Sequence, residues 1–481
     1  KTARPRAACP CLWNRSLTKK LHPFFVPASE AVGALPIWCA DADTWPAVRD
    51  GLPPAARAFA DAVGFKPDAG NHLLLPAQDG GVAGALLALD KAGERPHDPF
   101  LAGKLAGVLP EGVWRFAAPP PDPRLAALAF ALGRYRFARY RKADGKDVRL
   151  VVPEGVDGIA LTRTIDAVFL VRDLVNMPSN DCGPAEIEAA ARALAERFDA
   201  SVRSVVGESL LAENFPLVHA VGRAAARAPR LIDLAWGDTK HPKVTLVGKG
   251  VCFDTGGLDI KTSAGMLLMK KDMGGAAHAL GLAQMVMDAK LPVRLRVVIP
   301  AVENAISGDA FRPGDILVSR KGDTVEIGNT DAEGRLILAD ALALADETAP
   351  DLIVDFATLT GSARVALGPE LPATFTDDEE LAALLARHAS AEADYCWRMP
   401  LWRPYRSMLE SKVADTNNVS SGNFAGAITA ALFLSRFVDR AKSWLHFDLF
   451  AWNPSARPGR PEGGEAQTIR ALFALLSERY R

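Results

Sequence analysis

The chain has 481 residues, of which 49% are hydrophobic and 23% charged, with a formal net charge of −1. That length exceeds one comfortable core, so at least two domains are expected. The near-neutral balance gives no global drive toward nucleic acid or an anionic membrane, and no apolar run approaches the ~18 residues that cross a bilayer.

The first 22 residues carry Lys1, Arg4, Arg6, Arg15, Lys19 and Lys20 before the first acid, Glu30. A basic, acid-free leader suits a transit peptide, but a non-native extension is the favoured reading of 1–22. Residues 23–155 form the expected N-terminal domain. It is rich in Ala, Pro and Gly, with short apolar runs at 71–76 and 82–89 and a strand at 148–152. A helix is expected over 125–141, with Arg134, Arg136, Arg139 and Arg141 on a solvated face. A second helix, 164–175, ends before Pro178.

From 165 to 481 the pattern alternates. Strands are expected at 244–247, 295–302, 352–356 and 444–450, and helices at 186–198, 275–289 and 336–347. Apolar strands alternating with helices argue for a mixed, largely parallel sheet flanked by helices. The fold class is thus α/β in two domains: a small N-terminal one and a larger C-terminal one. In such sheets ligands gather at the carboxyl ends of strands. The six cysteines, Cys9, Cys11, Cys39, Cys182, Cys252 and Cys396, are sparse and suit a reducing, cytoplasmic setting.

The polar clusters follow those strands. In 247–257 (VGKGVCFDTGG) Phe253 replaces the glycine of a dinucleotide fingerprint, and Lys249 is not followed by the Ser or Thr of a phosphate loop. What remains is Lys249 and Asp254 on a flexible loop. Lys261 follows, and Asp272 opens a helix. In 329–336 (NTDAEGRL) Asp331 and Glu333 sit on a strand-to-helix connection, two residues apart, with Arg335 beyond. Two anions so close repel unless a cation lies between them. Asp254, Asp272, Asp331 and Glu333 together bring four negative charges, which two divalent cations would balance. Oxygen-rich ligation suits Zn, Mn or Mg. Lys249 would be an unusual ligand, because it must first lose a proton. No His-Glu-x-x-His and no Gly-x-Ser-x-Gly occurs, so histidine-zinc and serine-nucleophile chemistry have no foothold.

The ordered set VGKGVCFDTGG, IKTSAGM, MKKDMGGAA, NTDAEGRL and DFATLTG resembles the leucyl aminopeptidase (M17 cytosol aminopeptidase) family. The resemblance covers 165–481 well and extends loosely upstream through 77–80, 131–137 and 176–180. It implies a metal-dependent exopeptidase acting on peptide substrates, assembled as a homohexamer that is a dimer of trimers. By motif, Asp254 and Glu333 would bridge two metal ions, Zn or Mn with Mg or Co as further candidates. Lys249 and Asp272 would complete the tighter site, and Asp331 the exchangeable one. Lys261 and Arg335 would be the catalytic pair, with a bicarbonate against Arg335. Asp272 would also meet the substrate's α-amine. Met269, Thr358, Leu359 and Gly361 would wall the pocket for the first residue. Residues 444–451 match a further family segment, but Phe450 stands where a small residue is expected. It either narrows the pocket or packs beneath it, and the usual burial of large aromatics favours packing. Some relatives also bind DNA, so an added DNA-binding role on the same scaffold is the alternative. The near-neutral charge argues against it.

Overall fold

The computed structural model describes residues 20–91, 98–141 and 145–481. The leader, apart from its last three residues, lies outside them, as do Cys9 and Cys11. The chain divides into two compact units. One contains the described residues up to Phe169 with Asn453–Glu462; the other contains Leu170–Trp452 and Gly463–Arg481.

In the first unit a six-stranded sheet has the order Phe25–Val26, Val148–Val151, Gly112–Phe116, Leu35–Ala40, Val82–Ala88, His72–Pro76. All neighbours are parallel except the last pair, which is antiparallel. The helix expected over 125–141 is shorter, Pro123–Gly133. Asp122 caps its start by accepting from Leu125 N at 2.8 Å. At its end Gly133 abuts Gly103, whose carbonyl oxygen would lie 2.6 Å from an added Cβ. The arginines beyond form no helical face. Arg136 donates to the Gly133 carbonyl at 2.9 Å, and Arg134 donates to the Lys146 carbonyl while lying over the Phe24 ring. The Arg136 guanidinium thereby satisfies a backbone oxygen that the ended helix leaves open.

The second unit is built on a nine-stranded sheet. Its centre is four parallel neighbours in the order Trp444–Asp448, Leu352–Ala357, Lys243–Gly248, Arg294–Asn304. Arg230–Trp236 and then Ser201–Val206 add antiparallel strands at one side; Ala373–Phe375, antiparallel, and Trp397–Arg398 extend the other. Leu352–Ala357 is buried at every position, as a strand covered on both faces must be. The helix Gly274–Asp288 packs on Lys243–Gly248 and Leu352–Ala357, and Glu333–Asp346 packs against Pro216–Gly222 and Arg294–Asn304.

Three local expectations are corrected here. The glycine-rich segment is not a flexible loop, because Gly250–Asp254 is a further strand, parallel to Arg294–Asn304. Val251 and Cys252 are fully buried apolar residues, and Gly250 lets the backbone approach the Pro300 carbonyl, 2.6 Å from where a Cβ would stand. Glu333 does not lie on a connection but is the first residue of the helix Glu333–Asp346, where its negative charge suits the amino end of the helix dipole. The last central strand stops at Asp448 rather than 450. Asp448 there turns to accept from Leu359 N, Thr360 N and Thr360 Oγ1.

Candidate active site

The carboxyl ends of the parallel strands deliver the site. Lys249 follows Lys243–Gly248, Asp254 ends its own strand, Asn304 ends Arg294–Asn304, and Thr358 follows Leu352–Ala357. The helix Gly274–Asp288 starts hard against these ends: a Cβ on Gly275 would stand 2.1 Å from the Phe356 carbonyl oxygen. That close approach carries Asp272, in the tight turn Met269–Met273, into the cluster.

Asp254, Asp272 and Glu333 each place a carboxylate oxygen within 4.8 Å of the other two, and all three residues are buried. Asp254 Oδ1 accepts from Gly256 N at 2.8 Å and from Asn304 Nδ2 at 2.9 Å. Asp272 Oδ1 accepts from Thr358 Oγ1 at 2.8 Å. These bonds fix the carboxylates and leave their other oxygens for the centre. Lys249 Nζ stands 2.8 Å from Asp272 Oδ2 and 3.1 Å from Glu333 Oε1, and donates to the Thr358 carbonyl at 2.9 Å. The Asp272 contact is close but outside hydrogen-bond alignment, and Glu333 Oε2 is buried with no hydrogen-bond partner. Lys261 Nζ pairs with Asp254 Oδ2 at 2.8 Å and with Asp331 Oδ1.

The electrostatics are those of an anionic cluster short of positive charge. Burial raises Glu333, and the neighbouring Asp254 adds to it, up to about 8. Burial and Asp254 likewise raise Asp331 to about 6. Burial pulls both lysines down, but the carboxylates around them outweigh it and hold Lys249 and Lys261 above the ordinary lysine value. Four carboxylates face two ammoniums, and the excess negative charge makes Asp331 and Glu333 hold protons more tightly than ordinary carboxylates do. Divalent cations would replace those protons. The donor set fits such ions: hard carboxylate oxygens, two of them (Asp272 Oδ2 and Glu333 Oε2) buried without a hydrogen-bond partner, and an amine beside them.

These groups floor a cavity of about 750 Å³. Lys249, Asp254, Lys261, Met269, Asp272, Asp331, Glu333, Arg335, Thr358, Leu359, Gly361 and Phe450 all line it, so every residue assigned from sequence is brought to one place. Arg335, buried in the first turn of its helix, donates to the Asn418 carbonyl at 2.6 Å, and burial lowers its pKa to about 10. Phe450 does not pack beneath the pocket. It is half-buried and lines the wall, its ring facing Lys271 and Arg364. Sequence reasoning missed Lys271, Arg364 and Asn418. Lys271 adjoins Asp272 in the sequence, but its facing toward Phe450 depends on where the Trp444–Asp448 strand ends.

The catalytic-domain model of the cytosol aminopeptidase family matches residues 169–473, and the model of the M17 aminopeptidase N-terminal domain matches 35–153. The chain belongs to the cytosol aminopeptidase family. Family membership supports aminopeptidase function. A probable cytosol aminopeptidase from Roseiflexus castenholzii is 39% identical over 365 residues, covering 72% of this chain and 74% of that one. The crystal structure of a cytosol aminopeptidase from Coxiella burnetii superposes with a TM-score of 0.90 at 47% identity, covering 96% of this chain and all of that one. The bottromycin maturation enzyme BotP in complex with Mn superposes with a TM-score of 0.84 at 32% identity, covering 93% of this chain and 100% of its own. Among the described residues, no helix is long and apolar enough to cross a membrane.

Proposed function

We propose that this chain is a two-metal aminopeptidase that hydrolyses the N-terminal residue from peptides. The observation that carries the reading is the buried Asp254–Asp272–Glu333 cluster, flanked by Lys249, Lys261 and Asp331 on the floor of a large cavity. Asp254 and Glu333 would bridge the ions, Lys249 and Asp272 would hold one, and Asp331 the other. When bound, the ions supply Lewis acidity and a water of lowered pKa. The chain's own groups supply the rest. Asp272 receives the free α-amine, which restricts the site to chain ends because an internal peptide nitrogen is no amine. Lys261, with its ammonium in the cavity, donates to the oxygen on which negative charge develops. Arg335 would hold a bicarbonate beside the scissile bond, placing a proton carrier near the leaving nitrogen.

Zinc or manganese as the resident ions, a homohexamer and a cytoplasmic location belong to the same reading. Its test separates chemistry from metal content. Lys261→Ala and Arg335→Ala should each lower kcat on leucyl-p-nitroanilide roughly 10²–10³-fold, the scale of losing one preorganised donor. Bound metal, measured by elemental analysis, should change far less. Wild-type turnover in both variants would remove the assignment.

A further inference from the structure

At its wall the cavity holds a feature that metal binding does not use. Lys271 lies in the turn Met269–Met273, is only 5% exposed, and still lines the cavity. Its Nζ stands 4.5 Å from the centre of the Phe450 ring. Arg364, on the short helix Gly361–Leu367, places its guanidinium carbon 5.1 Å from the same ring. Among the described residues, neither side chain makes a hydrogen bond or an ion pair. The nearest acid in sequence, Asp272, is already engaged, Oδ1 by the Thr358 hydroxyl and Oδ2 by Lys249. The face of one aromatic ring offsets only part of the cost of burying an ammonium. A second cation at the same ring adds repulsion. Asp448 also acts on Lys271 but is engaged by Leu359 N, Thr360 N and Thr360 Oγ1, so no carboxylate pairs directly with either cation on the side open to substrate.

We propose that this end of the cavity selects an N-terminal residue whose side chain carries a carboxylate, glutamate or aspartate. The inference rests on the aminopeptidase reading, which sets the substrate's α-amine at Asp272. Lys271 is the adjacent residue, so the side chain of a substrate anchored there meets the wall that Lys271, Arg364 and Phe450 form. Met269 and Leu449 supply the apolar flank for its methylenes. A carboxylate entering between the two cations gains charge-assisted hydrogen bonds and completes the pairing the protein leaves open. An N-terminal lysine or arginine meets like charge and is rejected.

The experiment compares isosteres. The full chain, loaded with Mn, is assayed on glutamyl-, glutaminyl-, aspartyl-, asparaginyl-, leucyl- and lysyl-p-nitroanilide. The expected result is kcat/KM at least about tenfold higher for each acid than for its amide, because a buried group left without its partner makes a site discriminate strongly, and Lys271 is buried. Lys271→Met and Arg364→Ala should each lower the glutamyl-to-glutaminyl ratio about tenfold. Arg364 is exposed, so its variant keeps the test open if the Lys271 variant does not fold. L-glutamate should raise the melting temperature of the wild-type protein more than L-glutamine does, a readout independent of turnover. Equal turnover of acid and amide, or a ratio that neither variant changes, overturns the proposal. Hydrolysis of leucyl or glutaminyl anilide without acid preference removes this specificity and leaves the peptidase reading intact. Failure to hydrolyse any anilide removes both.

Discussion

Gly334 is the residue on which the geometry of Lys249 depends. A Cβ there would lie 2.4 Å from Lys249 Cε and 2.7 Å from Nζ. Helix propensity alone makes Gly→Ala favourable by about 1 kcal/mol. The local contacts argue the opposite, because Lys249 is 3% exposed and held by Asp272, Glu333 and the Thr358 carbonyl. A displacement on the order of 1 Å in such a cluster can cost about 10²-fold in rate. Gly334→Ala should therefore keep its helix by circular dichroism and lose about 10²-fold in kcat/KM with reduced metal content; wild-type kinetics would show that Lys249 can move aside freely. The residue itself was legible within NTDAEGRL, as were Asp331, Glu333 and Arg335, because contiguous motifs carry their own spacing. The reason for the glycine was not legible, since Lys249 comes from a strand 85 positions earlier in the numbering. Lys271 and Arg364 escaped for the same cause: they meet at the Phe450 ring from separate elements, and each looks ordinary alone.

Between elements, a comparable long-range device joins two helices. Asp340 sits within Glu333–Asp346, at 0% exposure. Its Oδ2 accepts from Leu217 N at 2.8 Å and Val218 N at 3.2 Å, and its Oδ1 from Arg320 N at 2.8 Å. The helix Pro216–Gly222 has no side-chain cap of its own, so an aspartate from another helix satisfies its first amides. Asp340→Ala would leave two buried N–H groups and a half-buried one, that of Arg320, unpaired at about 1–3 kcal/mol each. The expected loss is at least about 3 kcal/mol, read from the urea midpoint at unchanged m-value; a loss below about 1 kcal/mol would mean that water reaches those amides. Periodicity found the helix but could not find this contact, because a lone aspartate in an Ala/Leu run reads as a solvated position. The central strands were legible to within a few residues, since an apolar run buried on both faces has few other uses. Gly250–Asp254 was not, because its glycines serve close packing against Pro300 rather than a turn. The helix expected over 125–141 stops at Gly133, where Gly103 packs closely against it, a tertiary contact the pattern does not register.

Across the whole molecule, the anionic cluster makes stability depend on pH and on metal together. Asp331 and Glu333 have folded values of about 6 and about 8, both above their ordinary values of 3.8 and 4.5. A carboxyl whose folded value is raised binds its proton more tightly when folded. The stability it confers is complete below the unfolded value and is lost as pH rises through the folded one. Metal-free protein should therefore lose this contribution progressively from about pH 4 to pH 8. Bound cations act in the opposite sense, because they displace those same protons. Between pH 6 and 8 each unit lowers proton competition at Glu333 about tenfold, so apparent metal affinity should rise by up to roughly two orders of magnitude over that span. The difference in melting temperature between Mn-loaded and chelated protein should widen steadily from pH 6 to pH 8. The difference between the two curves is the quantity to read, since every titrating group elsewhere in the 481 residues contributes equally to both. Parallel curves would mean that the protons on Asp331 and Glu333 and the metal ions do not compete for the same oxygens, and the cluster would then have to be stabilised by its two lysines alone.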